Sequence, residues 1–315
     1  MSTRTIDIPS SVATRYVVVT DGPVTDPERL ARDYFTTLPA ADRPLLGEAR
    51  PVLQIRSIAA NESPCRNELV RVLATDDEQQ VLKTARSHLI VDSEVSSGSQ
   101  PRASQQLRAT ARFLAEATSG LLVDLASAQV VVPIRGVSGE RGWLRLADRW
   151  LSFDCLIDPA ADTTASPREC SCLCLFTRGM TRFGLPDLAV DQIACAHDLA
   201  ATNVLRGLAV QLLTRLWDDP NVRKLSIDDR LIVTPDHMWG YWGARPLLGQ
   251  PVAIHLVEPL KPELPQERYL EVLPHPDFNG TRVDWGNDVL GQGLPSVAGW
   301  QPDDPPYRID HSVPQ

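Results

Sequence analysis

Three cysteines in five residues, Cys170-Ser-Cys-Leu-Cys174, are the stretch whose residue types most readily do chemistry. Thiolates favour soft cations, Cu(I) and zinc among them. Read as a strand over 169–177, strict alternation places Cys170, Cys172, Cys174 and Phe176 on one sheet face. Neighbours along such a face lie about 7 Å apart, too far for an easy disulfide. A metal would need further ligands, and no spaced Cys/His cluster supplies them. The sequence therefore assigns no metal ligands and no cofactor, and treats these cysteines as small buried apolar residues.

Two other constellations invite a functional reading. Cys195, His197 and Asp198 fall at the start of a long helix, where a thiol can have a lowered pKa. Residues two apart on a helix diverge, so a catalytic histidine would have to come from elsewhere. His88, His237 and His255 are available, and nothing in the sequence selects one. The segment Asp236-His-Met-Trp-Gly-Tyr-Trp-Gly243 concentrates aromatics between glycines. Exposed rings of this kind anchor protein interfaces or stack on flat ligands, so His237, Trp239, Tyr241 and Trp242 are the expected binding residues. The competing reading makes them core of the C-terminal half. The acidic pairs at 76–77, 218–219, 228–229 and 303–304 read as solvated turns and caps. No phosphate loop, dinucleotide fingerprint, nucleophile elbow or His-Glu-x-x-His occurs.

The chain around these residues has 315 residues and a net charge of −9, which disfavours a nucleic-acid partner. Only Lys83, Lys224 and Lys261 are lysines among 31 basic residues; the arginine excess reads as codon usage. No leader with an apolar core opens the chain and no 18-residue apolar run crosses a membrane, so a cytoplasmic protein with free thiols is expected.

The elements that would position the candidates read as α+β, with antiparallel or mixed sheets, helices packed on one face, and two related-looking halves. Residues 1–135 form an N-terminal half, 136–294 a C-terminal half and 295–315 a Pro-rich extended tail. In the first half, residues 1–14 read as a frayed start. Strands are predicted at 15–20, 52–60, 68–74 and 88–95, with helices over 25–38 and 103–118 and a short capped helix from Thr75. In the second half a strand or hairpin spans 144–157. The best helix runs from near Ala194 to Asp218, with Leu205, Leu208, Ala209, Leu212 and Leu216 on one stripe. Strands follow at 231–234, 252–257 and 269–273.

The order His88-Leu-Ile-Val-Asp, helix 103–118, Gly120-Leu-Leu-Val-Asp-Leu, then Phe176-Thr-Arg-Gly-Met-Thr-Arg-Phe-Gly-Leu-Pro-Asp-Leu188 resembles bacterial proteins of the domain-of-unknown-function family 4261. The phrase 179–187 carries most of the likeness, which covers about residues 15–216. The resemblance implies a bacterial α+β protein and carries over no catalytic residues. Gly184 and Pro186 read physically as a turn that sets the chain before the next helix.

The expected function is a non-catalytic protein-binding or accessory role through the 236–243 surface, with a protein partner or self-association. The alternative is a hydrolase or transferase with an unrecognised His/Asp/Cys site.

Overall fold

The computed structural model describes residues 3–37, 52–131, 144–158, 166–243, 249–258 and 268–291. The expected boundary at 135–141 and the Pro-rich tail lie outside the described residues. The chain opens with β1 (Thr3–Asp7), β2 (Ser11–Thr20), α1 (Pro27–Thr37), β3 (Val52–Ala59), α2 (Arg66–Leu69), α3 (Asp76–Thr84), β4 (Ser87–Ser96), α4 (Arg102–Thr118), β5 (Leu121–Asp124) and β6 (Gln129–Val130). It continues with β7 (Ser152–Ile157), β8 (Leu173–Arg178), β9 (Asp187–Ile193), α5 (Asp198–Asp218), β10 (Lys224–Asp228), β11 (Leu231–Val233), α6 (Pro235–Gly240), β12 (Val252–Val257), β13 (Tyr269–Pro274) and α7 (Arg282–Trp285). The fold is α+β.

A five-stranded antiparallel sheet, ordered β3-β4-β2-β5-β6, is built from the first half. Its central strand β2 is an apolar β-branched run, so side chains on both faces must be covered. Tyr16 and Val18 meet Leu107 and Leu114 of α4 on one face, while Val17 and Val19 meet Cys65, Leu69 and Val72 on the other. The second half forms a six-stranded mixed sheet, ordered β11-β12-β13-β9-β8-β7, in which β13 and β9 run parallel. Helix α5 lies against β8 and β9, and the predicted stripe Leu205, Leu208, Ala209, Leu212 and Leu216 is buried.

Three expectations change. The first residues are not frayed: β1 pairs with β10 in register Thr3↔Asp228, more than two hundred residues away, a contact with no local signature. Residues 68–74 are not a strand; α2 and turns occupy them, and only Leu73 bridges to Gln129. The turn at Gly184 leads into β9 rather than directly into a helix.

The 179–187 phrase sits where the halves meet. Gly179 and Gly184 both take positive φ, +112° and +94°, and close a tight turn around Arg182. The Arg182 guanidinium is fully buried; its Nη2 lies 2.7 and 2.8 Å from the two oxygens of Asp124, and its Nη1 donates to the Tyr16 hydroxyl at 3.0 Å. Trp150 stacks under the buried Arg108 of α4, whose Cζ is 3.2 Å from the ring centroid. A charge pair and a cation–π stack therefore connect the halves in a dry joint.

Candidate metal centre

The register of β8 and β9 builds the one group of three potential metal-ligating side chains found among the described residues. Leu173 pairs with Ile193, so the chain just before β8 and the chain just after β9 are held side by side. Cys172 and Cys170 precede that pair and Cys195 follows it. Strand β8 starts only at Leu173, which corrects the expected strand over 169–177. Hydrogen bonds from the Glu169 and Cys170 N–H groups to the Ser166 carbonyl curl the preceding segment into a turn. The curl removes the one-face alternation: Cys170 and Cys172 turn toward Cys195, whereas Cys174 stays on the strand, half-buried.

The three sulfurs converge. Cys172 Sγ lies 2.7 Å from Cys195 Sγ, and Cys170 Sγ lies 3.2 Å from each. All six cysteines are free thiols. Cys170 and Cys172 are buried and Cys195 is exposed, so the cluster has a dry floor and an open mouth. Tetrahedral Zn–S bonds of about 2.3 Å place sulfurs about 3.8 Å apart, so a cation entering the triangle would spread each pair by roughly 0.6 to 1.1 Å.

The electrostatics favour one thiolate. Burial opposes ionisation of Cys170, but the Cys195 backbone N–H donating at 3.1 Å and the two neighbouring thiols outweigh it, bringing Cys170 down to about 7. Burial, with the hydrogen bonds to the other two sulfurs, pushes Cys172 up to about 12. The Cys170 proton leaves easily, and the Cys172 proton leaves only with a compensating positive charge.

His197 supports the site from behind. It is buried, and its Nε2 lies 2.8 Å from Asn287 Oδ1. Asn287 Nδ2 donates to the Arg168 carbonyl at 3.3 Å, which orients the amide and makes His197 Nε2 the donor. The Arg168 loop carries Cys170, so this bridge ties the two ligand segments together. Close packing is required there: a Cβ on Gly286 would sit 3.2 Å from the His197 ring and one on Gly291 would sit 3.3 Å from it. The sequence grouping of Cys195, His197 and Asp198 thus separates, with the thiol joining the other sulfurs and the imidazole facing Asn287. Cys155 on the edge strand β7 is exposed; burial raises its pKa, as do the charges of Asp154, Asp198 and Cys195.

The aromatic segment lies elsewhere and is turned partly inward. Thr234 and His237 form a capping box at the start of α6, so the imidazole is used as a cap: His237 Nδ1 accepts from the Thr234 N–H at 3.2 Å. Tyr241 is buried, and Trp242, half-buried, packs on the core of the second half. Trp239 is half-buried against Trp242, with ring centroids 5.8 Å apart. The four expected binding residues therefore share one neighbourhood but do not form a flat exposed patch. No helix among the described residues is long and apolar enough to cross a membrane.

The sequence pattern offered Cys170-x-Cys172 and, separately, Cys195; it did not show that they meet. The available signal was a Cys-x-Cys and a lone cysteine on either side of a strand pair, legible only once the pairing register is known. No family model, curated protein or solved structure matches the chain.

Proposed function

We propose that this protein binds a thiophilic d¹⁰ cation, Cu(I) or Zn(II), through Cys170, Cys172 and Cys195. The observation that carries the reading is the convergence of three free sulfurs within 3.2 Å from two separate segments. Packing alone gives no reason to bring three thiols so close, because cysteine used as a small apolar residue needs no sulfur partner. Cu(I) suits three sulfurs in a plane, whereas Zn(II) takes a fourth donor at the open mouth. Each thiol that binds as thiolate releases its proton to solvent, so uptake strengthens as pH rises through the range where Cys170 ionises.

The test is metal content by native mass spectrometry after anaerobic loading, with Cu(I) and Zn(II) offered separately. The expected result is one equivalent bound by the wild type and by Cys65→Ser, and loss of binding in Cys172→Ser and Cys195→Ser. Retention of a fourth-donor contribution is read from Cys155→Ser, which weakens Zn(II) only if that thiol closes the site. Equal binding by the wild type and Cys172→Ser, or none by either, refutes the reading. A protein-contact role for 236–243 draws less support, since Tyr241 is buried and His237 is engaged as a helix cap.

A further inference from the structure

A second site lies at the middle of α5, and a different observation carries it. Arg206 projects from the middle of that helix into an aromatic collar. Its Cζ lies 4.7 Å from the Trp242 ring centroid, 4.9 Å from Phe153 and 5.4 Å from Tyr241. Its Nη1 donates to Asn203 Oδ1 at 2.9 Å, and the Tyr241 hydroxyl is its other polar neighbour. No carboxylate pairs with it among the described residues. Asp148, whose charge acts on Tyr241, is already engaged by Arg145. Arg206 Nε is buried and has no hydrogen-bond partner. A half-buried guanidinium with open in-plane donors is costly unless an anion answers it.

The collar opens into a cavity of about 320 Å³ at the junction of the two halves, where Leu73 and Gln129 of the first half face Phe153 and Trp242 of the second. Ligand sites favour such junctions, and this volume is at their lower end. Arg149 also lines the cavity and adds a second positive charge. Leu73, Ala147, Leu151 and Tyr241 also line it, and the polar side chains Ser152 and Gln129 already donate to the Ser127 and Arg149 carbonyls, so a flat body asking for one charged fork is better matched than a phosphate needing several free donors.

We infer that this cavity binds a small monocarboxylic acid with a flat apolar body, its carboxylate on the Arg206 guanidinium and its body against the cavity-facing edges of Phe153 and Trp242. The fork geometry of arginine matches a carboxylate, and the rings that stack on the guanidinium hold its plane in place.

Benzoate, benzamide and inorganic phosphate are the probes, titrated separately while the Trp242 indole N–H resonance is followed, assigned through Trp242→Phe. Benzoate is expected to shift that resonance to saturation. Benzamide, the neutral isostere, is expected to bind at least about tenfold more weakly, because a charge-assisted pair becomes an ordinary hydrogen bond. Arg206→Gln is expected to abolish the benzoate response while circular dichroism stays unchanged. Equal affinity for benzoate and benzamide overturns the assignment, and that comparison needs no variant to fold. So does an unchanged benzoate response in folded Arg206→Gln, the absence of saturation with benzoate, or a phosphate response as strong as benzoate's.

Discussion

Replacing Arg182 by Met removes the cation at the centre of the joint between the halves and leaves Asp124 without its partner. Both side chains are fully buried, and Arg182 Nη2 lies 2.7 Å from one Asp124 oxygen. At an effective dielectric constant of 20 the pair's attraction is about 6 kcal/mol. Most of that is offset by the desolvation of both ions, so the pair itself contributes little. The single variant differs, because the carboxylate stays buried while its counter-charge goes. The loss expected is about 3–5 kcal/mol, and the Tyr16 hydroxyl and Gly179 carbonyl lose a donor as well. With a urea slope of about 2–3 kcal/mol/M, the midpoint falls by more than about 1 M. Asp124→Asn is the second arm, since Asn keeps an oxygen to accept from the Ala126 and Ser127 N–H groups that Asp124 Oδ1 now caps. In Arg182→Met/Asp124→Asn no charge is stranded, and about 1.5–3 kcal/mol of the combined single losses should return. Urea unfolding of the four proteins, followed by fluorescence and circular dichroism, completes the cycle. A loss below about 1 kcal/mol in Arg182→Met, or strict additivity in the double variant, would refute the argument that this charge pair governs the joint.

Two further outcomes follow from the same physics. Asp187 is buried, and that burial raises its pKa to about 7 against the Met180 N–H at 3.1 Å and the Thr177 hydroxyl at 2.9 Å. The folded chain thus holds a proton that the unfolded chain releases near pH 4, so stability falls as pH rises from about 4 to 7, by up to about 4 kcal/mol. Asp187→Asn should flatten that slope in denaturant midpoints measured across the window; an unchanged slope would count against it. Gly207 lies where α5 touches α6, and a Cβ there would sit 2.6 Å from Val233 Cγ1 and 3.0 Å from the Met238 backbone nitrogen. Gly207→Ala is therefore expected to cost about 1–3 kcal/mol in thermal or urea unfolding despite alanine's better helix propensity, and a stabilised variant would show that the contact relaxes freely.

What the chain declares locally, it declares through periodicity and end signals. The Thr75–Glu78 capping box is satisfied by neighbours a few residues away, and the β-branched run of β2 and the apolar stripe of α5 repeat along the chain itself, so all three are legible without a fold. The α+β class follows from their order. Where local signals mislead, a distant partner decides. Residues 169–172 alternate like a strand, yet the turn at Ser166 and the β8–β9 register draw two of their thiols onto Cys195. Residues 3–7 carry no strong strand signal and pair with β10 in a two-stranded sheet of their own, where each strand satisfies the other's backbone groups. Arg182 and Arg206 read as ordinary polar residues in sequence, since nothing in an arginine's neighbours says whether its charge will meet a carboxylate or an aromatic collar. Sequence alone determined the locally signalled elements and the supply of thiols, rings and guanidinium groups. Tertiary structure decided which of them meet, because a ligand set depends on distances between segments that only long-range pairing and packing establish.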